Sequence, residues 1–218
     1  MEQVVGATSL RERKKARTRA ALLEVSQRLF AEQGYAETTL EQICHEVELT
    51  PQTLLRYFSS KAHLAVAPLL DAVDALRAFL DNPGRTLPTI VVWQEYVTLE
   101  VQEAVEPSSA VLASQVHNLR AYRHWTERDP VLVAMVSDID RQLRDVLAAA
   151  LVVDWDAEPD DLHVALVASA LVGGRLAVWN RWLAEDLASE DLLAEHLALI
   201  AYVRKRLPRS SAAQLHPD

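Results

Sequence analysis

The sequence predicts an all-α fold, in which a short N-terminal helical domain precedes a larger helical domain. Three observations support this prediction. Half of the 218 residues are apolar and only five are Gly, a composition that favours helices and a sizeable core. Apolar residues recur at the three- and four-residue spacing of helices along most of the chain. The sequence contains neither the alternation typical of strands nor an internal repeat.

The first predicted helix covers residues 11–32, after ten residues without periodicity that we expect to be disordered. Gly34 fits the C-terminal stop of this helix. Between Arg11 and Arg19 the helix carries six basic residues and one acidic residue. A solvated basic helix start is the alternative, but cations next to a DNA-reading motif would neutralise phosphate charge and release counterions. The residues expected to do so are Arg13, Lys14 and Arg17.

The stretch from Thr39 to Lys61 predicts two short helices joined by a tight turn. Thr39 and Gln42 have the spacing of a capping box, in which each side chain bonds the other residue's backbone N–H. Thr50 is placed to cap the second helix, with Pro51 at the first helical position, where an N–H is not needed. Two helices of about two turns around a three-residue turn form a helix-turn-helix, and the second helix is the candidate reader of DNA.

Residues 17–64 have the sequence RTRAALLEVSQRLFAEQGYAETTLEQICHEVELTPQTLLRYFSSKAHL, in which FAEQGYAETTLEQI and RYFSSKAHL are the most distinctive parts. Over about residues 13–64 the chain resembles, without gaps, the N-terminal domain of the TetR family of bacterial transcriptional repressors. The resemblance implies a homodimeric cytoplasmic repressor that binds double-stranded DNA and is released by a small-molecule effector, without a cofactor. A twofold dimer implies a palindromic operator with half-sites about 34–36 Å or a multiple apart.

The resemblance also implies roles for individual residues. Gln52 and Thr53, beside Pro51, face base edges, and the Gln52 amide has the geometry for a bidentate pair with adenine. Arg56 reaches either guanine or a phosphate. The other predicted DNA-binding residues are Thr39, Thr50, Tyr57 and Lys61, of which Thr39, Tyr57 and Lys61 are expected at the backbone.

Two residues depart from the family pattern. Leu55 stands where most members have Tyr, so one backbone or base contact of that Tyr is expected to be absent. Glu48 stands in the turn where most members have Gly. If the turn keeps its left-handed residue, Glu48 adopts a positive φ at a cost of roughly 1 kcal/mol. Its negative charge near DNA is also unfavourable.

The rest of the chain predicts further helices separated by breakers such as Asn82-Pro83-Gly84. Their expected ranges are 62–80, 86 or 87 to 105, 108–125, 129–153, 162–185 and 190–207. The predicted domains are therefore a DNA-binding domain over residues 11–62 and a ligand-binding and dimerisation domain over residues 63–208. A frayed C-terminus is expected over residues 209–218.

The last two predicted helices carry apolar residues on two sides, which implies burial on both sides. Periodicity leaves two alternatives open, a central position in one bundle and a subunit interface. The resemblance favours the interface, because TetR-like proteins dimerise by packing these two helices against the partner's pair. The predicted interface residues are Ala165, Ser169, Val172, Leu176, Leu193, Leu197 and Ile200.

Large aromatic residues concentrate in the predicted second domain. Most aromatics in a helical bundle belong to its core, but pockets between bundle helices are also lined by aromatic side chains with a few polar groups. The resemblance implies such a cavity, and we expect its effector to be apolar or aromatic. The candidate ligand-binding residues are Trp93, Tyr96, His117, Trp125 and Trp179.

Several other functions are disfavoured by the sequence. It has no GxSxG, P-loop or dinucleotide fingerprint, and His117 and His124 lack the further ligands that a metal site needs. We therefore expect neither an enzyme nor a metal site. The longest apolar stretch, residues 164–174, is short for a membrane span, and no signal peptide is evident, so a soluble protein is expected.

The net charge of −9 is unevenly distributed. Residues 1–62 contain nine Lys/Arg and eight Asp/Glu, whereas residues 63–218 contain thirteen and twenty-three. Positive charge is thus kept next to the helix-turn-helix. The alternative function is a helical ligand- or protein-binding module with a vestigial DNA-binding head, which Leu55 and Glu48 would favour. Weak DNA binding with little dependence on salt would distinguish this alternative.

Overall fold

The structure is a computed structural model that describes residues 9–105, 128–185 and 189–206. Every regular element within these ranges is an α-helix, which confirms the predicted all-α fold. The helices are α1 (Leu10–Gln33), α2 (Leu40–Glu46), α3 (Pro51–Leu54), α4 (Lys61–Leu80), α5 (Thr89–Val105), α6 (Pro130–Trp155), α7 (Leu162–Glu185) and α8 (Ser189–Arg206). The helix predicted over residues 108–125 lies outside the described residues.

Local capping signals explain several of the helix ends. Ser9 caps α1 through a capping box with Glu12, so the helix already begins at Leu10, within the stretch predicted to be disordered. Gly34 ends α1 with a φ of 95°, as predicted. Asp129 caps α6, and its carboxylate accepts from the N–H of Val131 at 2.8 Å.

The described chain divides into two compact units. Residues 9–68 and 128–133 belong to the first, and residues 69–105, 134–185 and 189–206 to the second. The division therefore falls inside α4 and α6 rather than between helices. It follows Pro68, an internal helix residue that has no N–H to bond the carbonyl of Leu64. The predicted domain limits of 11–62 and 63–208 remain a prediction.

The core of the first unit is formed by α1, α2, α3 and the start of α4. Its fully buried large side chains are Leu22, Phe30, Ile43, Leu54, Phe58 and Leu64, together with Leu132 near the start of α6. Gln27 on α1 is also buried and donates to the carbonyl of Ala65 on α4 at 3.2 Å. An apolar cluster with a satisfied polar link thus holds the short α2 and α3 in place.

In the second unit α7 packs closely against α8. A Cβ on Gly174 would lie 2.5 Å from a methyl carbon of Leu199 on α8, so a larger residue there would force the Leu199 side chain to move. Leu162–Trp182 is long and apolar enough, by length and composition alone, to cross a membrane, although the sequence suggested no such span. The same test is passed by core helices of soluble proteins, and Val167 and Leu171 of this helix are fully buried within the unit.

Candidate nucleic-acid interface

The caps of α2 and α3 have the predicted geometry. Thr39 Oγ1 accepts from the N–H of Gln42 at 3.2 Å, while the Gln42 side chain accepts from the N–H of Thr39 at 2.7 Å. Thr50 caps α3 by accepting from the N–H of Thr53 at 3.2 Å, with Pro51 at the first helical position. Both capping predictions are confirmed, and the turn between the helices is therefore anchored at each end.

The second helix of the motif is shorter than predicted. Only Pro51–Leu54 is α-helical, but backbone bonds continue the helical turn as far as Phe58, whose N–H donates to the carbonyl of Leu54 at 3.0 Å. Leu54 and Phe58 are fully buried, which turns the opposite side of α3 outward. Gln52, Leu55 and Arg56 are exposed there. Two of the predicted base-reading side chains are thus available to DNA.

The other predicted contact residues of the motif are half-buried or already form hydrogen bonds. Thr53 and Tyr57 are half-buried, and the hydroxyls of Thr53 and Thr50 lie 2.9 Å apart and bond each other. The side chain of Thr39 is exposed, although its oxygen already accepts the capping bond. A hydroxyl that accepts one bond still has a proton to donate, so Thr39 can bond a phosphate without breaking its cap.

The basic start of α1 belongs to the same unit and is exposed. Arg13, Lys14 and Arg17 have exposed side chains, as their lack of an apolar stripe predicts. Arg19, further along the helix, lies over the ring of Phe58 at 5.2 Å from its centroid. The first residues of the basic segment are therefore accessible to a ligand, whereas Arg19 at its end packs on Phe58 of the same unit.

Lys61 begins α4 as predicted, and its ammonium group is bonded within the unit, while its salt bridge to a phosphate stays a prediction. Its ammonium group donates to the carbonyl oxygens of Tyr35 at 2.9 Å, Ala36 at 3.3 Å and Thr38 at 3.0 Å. A lysine has three N–H donors, so all of them are used inside the unit. The ammonium also lies 4.4 Å from the centroid of the Tyr35 ring.

Burial lowers the pKa of Lys61, while the charges of Asp129 and Glu37 act in the opposite direction. Burial together with Asp129 raises the pKa of Tyr35 to about 12. The charged Lys61 side chain therefore holds the loop between α1 and α2 through three hydrogen bonds. These bonds also help to position Thr39, which lies at the end of that loop.

Glu48 has a φ of 53°, which confirms the left-handed turn residue expected from the sequence. Its side chain is exposed and adds a negative charge next to the helix-turn-helix. We expect Glu48→Gly to raise the free energy of unfolding by about 1 kcal/mol, because glycine adopts this φ without strain.

The same change should also tighten DNA binding, since it removes like-charge repulsion from phosphates. Urea unfolding and DNA titration at two salt concentrations measure the two effects. Glu48→Gln separates them, because it removes the charge and keeps the strain. A Glu48→Gly protein that is no more stable than the original would contradict the strain argument.

The second unit contains a mostly buried ionic and aromatic cluster that sequence reasoning largely missed. Arg175 on α7 is 9 % exposed and forms two bonds to Glu100 on α5, one of them from Nε at 2.8 Å. Trp179 Nε1 donates to the same carboxylate at 3.3 Å. Burial opposes the charge of Arg175, but Glu100 outweighs it and leaves the pKa of Arg175 above its ordinary value. The sequence feature that indicates this cluster is Arg175, a single cation that interrupts an apolar helix face.

Predicted ligand-binding residues lie around this cluster. Trp93 is fully buried and its ring stacks on Tyr96, with centroids 5.3 Å apart. Burial, followed by the charge of Glu100, raises the pKa of Tyr96 to about 12, so its hydroxyl stays neutral. Among the described residues no group bonds the buried Nε1 of Trp93. His117 and Trp125 lie outside the described residues.

His196, on α8, completes the aromatic side of the cluster and was not a predicted site residue. Its ring lies 5.8 Å from that of Trp179, and its Nδ1 donates to the carbonyl of Leu192 at 2.7 Å. Burial lowers the pKa of His196. The cluster therefore combines flat aromatic surface with a few polar groups, the composition typical of ligand pockets.

The predicted interface residues of α7 and α8 fall into three groups. Ala165, Ser169 and Leu176 are exposed, whereas Leu193 and Leu197 are half-buried. Val172 and Ile200 are 1 % and 2 % exposed, because they pack inside their own unit, so their assignment to a subunit interface is corrected. The exposed face of α7 also includes two residues that were not predicted, Leu162 and Leu166.

Comparison with known proteins adds independent evidence. Residues 22–67 match the family model for bacterial regulatory proteins of the tetR family. The chain is 43 % identical over 72 residues to the HTH-type transcriptional regulator TcmR of Streptomyces glaucescens, a match that covers 33 % of this chain and 32 % of TcmR. It is 23 % identical over 185 residues to the regulator UidR of Escherichia coli strain K12, which covers 83 % of this chain and 89 % of UidR.

Solved structures show the same fold. Salmonella enterica GusR has a TM-score of 0.59 at 19 % identity, over 88 % of this chain and 95 % of that one. The SmeT–triclosan complex has a TM-score of 0.61 at 18 % identity, over 87 % and 91 %. The named relatives are regulators rather than enzymes, which confirms that expectation. The helix-turn-helix of residues 40–54 lies inside the matched segment, so residues 22–67 form a DNA-binding domain of the tetR family, and the chain as a whole is similar to HTH-type transcriptional regulators.

Proposed function

We propose that the protein is a homodimeric repressor that binds a palindromic operator and is released from it by a small apolar or aromatic effector. The observation that carries the proposal is the outward side of α3, where Gln52 and Arg56 are exposed in the same unit as the basic start of α1. Residues 11–62 act as the DNA-binding domain and residues 63–208 bind the effector and the partner subunit. Because bacterial DNA lies in the cytoplasm, the proposal places the protein there.

In this proposal α3 reads bases and its surroundings bind phosphates. Gln52 pairs with adenine, and Arg56 pairs with guanine or a phosphate. Pro51 and Thr53 lie beside the bases. The residues that contact or orient the DNA backbone are Arg13, Lys14, Arg17, Thr39, Thr50 and Tyr57. Lys61 is left out, since its donors are committed to carbonyl oxygens.

The dimer is supported by the exposed face of α7. Leu162 is 72 % exposed, Leu166 48 % and Leu176 36 %, while Ala165 and Ser169 between them are small. An apolar stripe with small residues lets a second helix approach closely and bury it. Leu193 and Leu197 on α8 are half-buried and complete the proposed interface.

The effector site is supported by the cluster around Trp93, Tyr96 and Trp179. The stacked rings of Trp93 and Tyr96 provide a flat apolar surface, and the Trp93 Nε1, which none of the described residues bonds, can donate to an oxygen of the effector. SmeT, which has a similar fold, forms a complex with triclosan. Release requires that the effector binds the DNA-incompetent state more tightly than the competent one.

Selection of bound duplexes from a random DNA pool tests the proposal. We expect a palindromic site whose affinity falls steeply with salt, with a log–log slope of about −0.9 for each neutralised phosphate. Gln52→Ala should lower discrimination at one adenine by about 1–3 kcal/mol per half-site. Gln102→Ala is the matched control, since Gln102 is exposed on α5. Weak binding to every duplex with a flat salt dependence would favour a ligand-binding module with a vestigial head.

Sedimentation of the free protein tests the dimer, and a stable monomer at micromolar concentration would refute it. Repeating the DNA titration with triclosan and related phenols as probes tests the effector class. Trp93→Phe keeps the stacked ring and removes the N–H, so it should weaken release by an oxygen-bearing probe while DNA affinity stays the same.

A further inference from the structure

The side chain of Leu55 is an exposed apolar group on the outward side of α3, in the turn that continues the helix. It is 46 % exposed, whereas its neighbours Leu54 and Phe58 are fully buried. Its own N–H donates to the carbonyl of Pro51 at 2.9 Å, so the helical turn holds the residue in a defined orientation. Single exposed leucines are common in proteins. Leu55 differs from the others because it lies between Gln52 and Arg56, the two exposed residues proposed to face DNA.

We propose that Leu55 contacts the C5 methyl group of an operator thymine in the major groove and thereby contributes to sequence specificity. Thymine alone among the four bases presents a methyl group there, and apolar side chains are its usual partners. Leu55 can neither donate nor accept a hydrogen bond, so it cannot replace the family's tyrosine at a phosphate. This inference rests on the proposed DNA reading by α3 and deepens it.

Helix geometry restricts where the thymine lies. Residues three apart on a helix have Cβ atoms about 5–6 Å apart. Successive base pairs are about 3.4 Å apart along a DNA strand. Leu55 therefore faces the base pair read by Gln52 or one within about two steps of it. The thymine is expected at that distance from the adenine that Gln52 recognises.

The energy expected from this contact is modest but measurable. Removing one methyl-sized group from water is worth about 0.8 kcal/mol, which corresponds to about a fourfold change in affinity for each half-site. Leu55→Ala should lose this contact and leave the protein folded, because the exposed Leu55 side chain is not part of the core. Leu55→Met keeps an apolar tip and should keep most of the contact.

Deoxyuridine provides the test, since it pairs as thymine does and lacks only the C5 methyl group. Each thymine of the selected operator is replaced in turn, and affinity is measured for the full-length protein. We expect one position per half-site, within two steps of the adenine sensitive to Gln52→Ala, to lose about fourfold in affinity. Leu55→Ala should bind the thymine and deoxyuridine duplexes equally at that position, while Leu55→Met still discriminates.

Leu87→Ala is the matched control, because Leu87 is an exposed leucine of the second unit and should leave the discrimination unchanged. The inference is overturned if no thymine near that adenine is sensitive to the methyl group. It is equally overturned if Leu55→Ala loses the same affinity for both duplexes, which would indicate a contact with sugar. A protein that selects no sequence, and whose Gln52→Ala variant binds as the original does, would instead refute the proposed function.

Discussion

Replacing Arg175 by methionine should lower the free energy of unfolding by about 3–5 kcal/mol, the usual cost of removing one partner of a buried ion pair. The change leaves the Glu100 carboxylate, which accepts from both Arg175 and Trp179, without its cation inside the second unit. Urea unfolding followed by tryptophan fluorescence measures the loss, because Trp179 reports directly on the site.

Two further variants make this prediction specific. Glu100→Leu combined with Arg175→Met removes both charges and should recover most of the lost stability, since an apolar pair of similar volume often replaces a buried ion pair without cost. Arg141 is the control, because it pairs with Asp138 and Asp145 on the exposed side of α6. Its replacement by methionine should leave the unfolding midpoint nearly unchanged. Equal losses for Arg175→Met and Arg141→Met would show that the pair is not effectively buried.

Replacing Lys61 by methionine should lower the free energy of unfolding by about 2–4 kcal/mol. Hydrogen bonds to a charged group are worth about 1.5–3 kcal/mol each and are not additive. Lys61→Met removes three of them, together with the contact to the Tyr35 ring. The freed carbonyl oxygens lie near the surface and regain water, which limits the loss. Urea unfolding measures it, and hydrogen exchange should locate the loosening between α1 and α2.

Lys14→Met is the matched variant, because Lys14 is exposed and proposed to meet a phosphate. It should leave stability unchanged and reduce the salt slope of DNA binding by about one. Lys61→Met should therefore change the free energy of unfolding, whereas Lys14→Met should change the salt dependence of DNA binding. Lys61→Met with unchanged stability and a salt slope reduced by one would restore the phosphate contact for Lys61.

The sequence predicted those features that depend on neighbouring residues. The bounds of α7 are the predicted 162–185, and the capping residues Thr39, Thr50 and Asp129 have their predicted roles. The left-handed conformation of Glu48 also followed from its place in the turn. Each of these features is decided by bonds or sterics within about four residues, so the information lies in a short stretch of sequence.

The sequence predicted two apolar sides for α7 but could not show which of them packs inside the unit. Both sides follow from periodicity, but Val172 belongs to the inward side together with Arg175, whereas Ala165, Ser169 and Leu176 face outward. Their separation depends on where α5 and α8 pack. Gly174 lies where α7 meets α8, since a Cβ there would come within 2.5 Å of a methyl carbon of Leu199. A helical period gives the angle between side chains but not the direction of the neighbouring helix.

The sequence by itself thus determined that the chain is all-α, that a helix-turn-helix lies between Thr39 and Lys61, and that Thr39 and Thr50 cap its two helices. Only the tertiary structure decided that Lys61 clamps a loop more than twenty residues away and that Arg175 pairs with Glu100, 75 residues before it. The physical reason is the distance along the chain between the interacting residues. Helix caps and turns are stabilised by bonds between sequence neighbours, whereas the partner of a buried charge is whichever opposite group the packing of distant helices brings within hydrogen-bond distance.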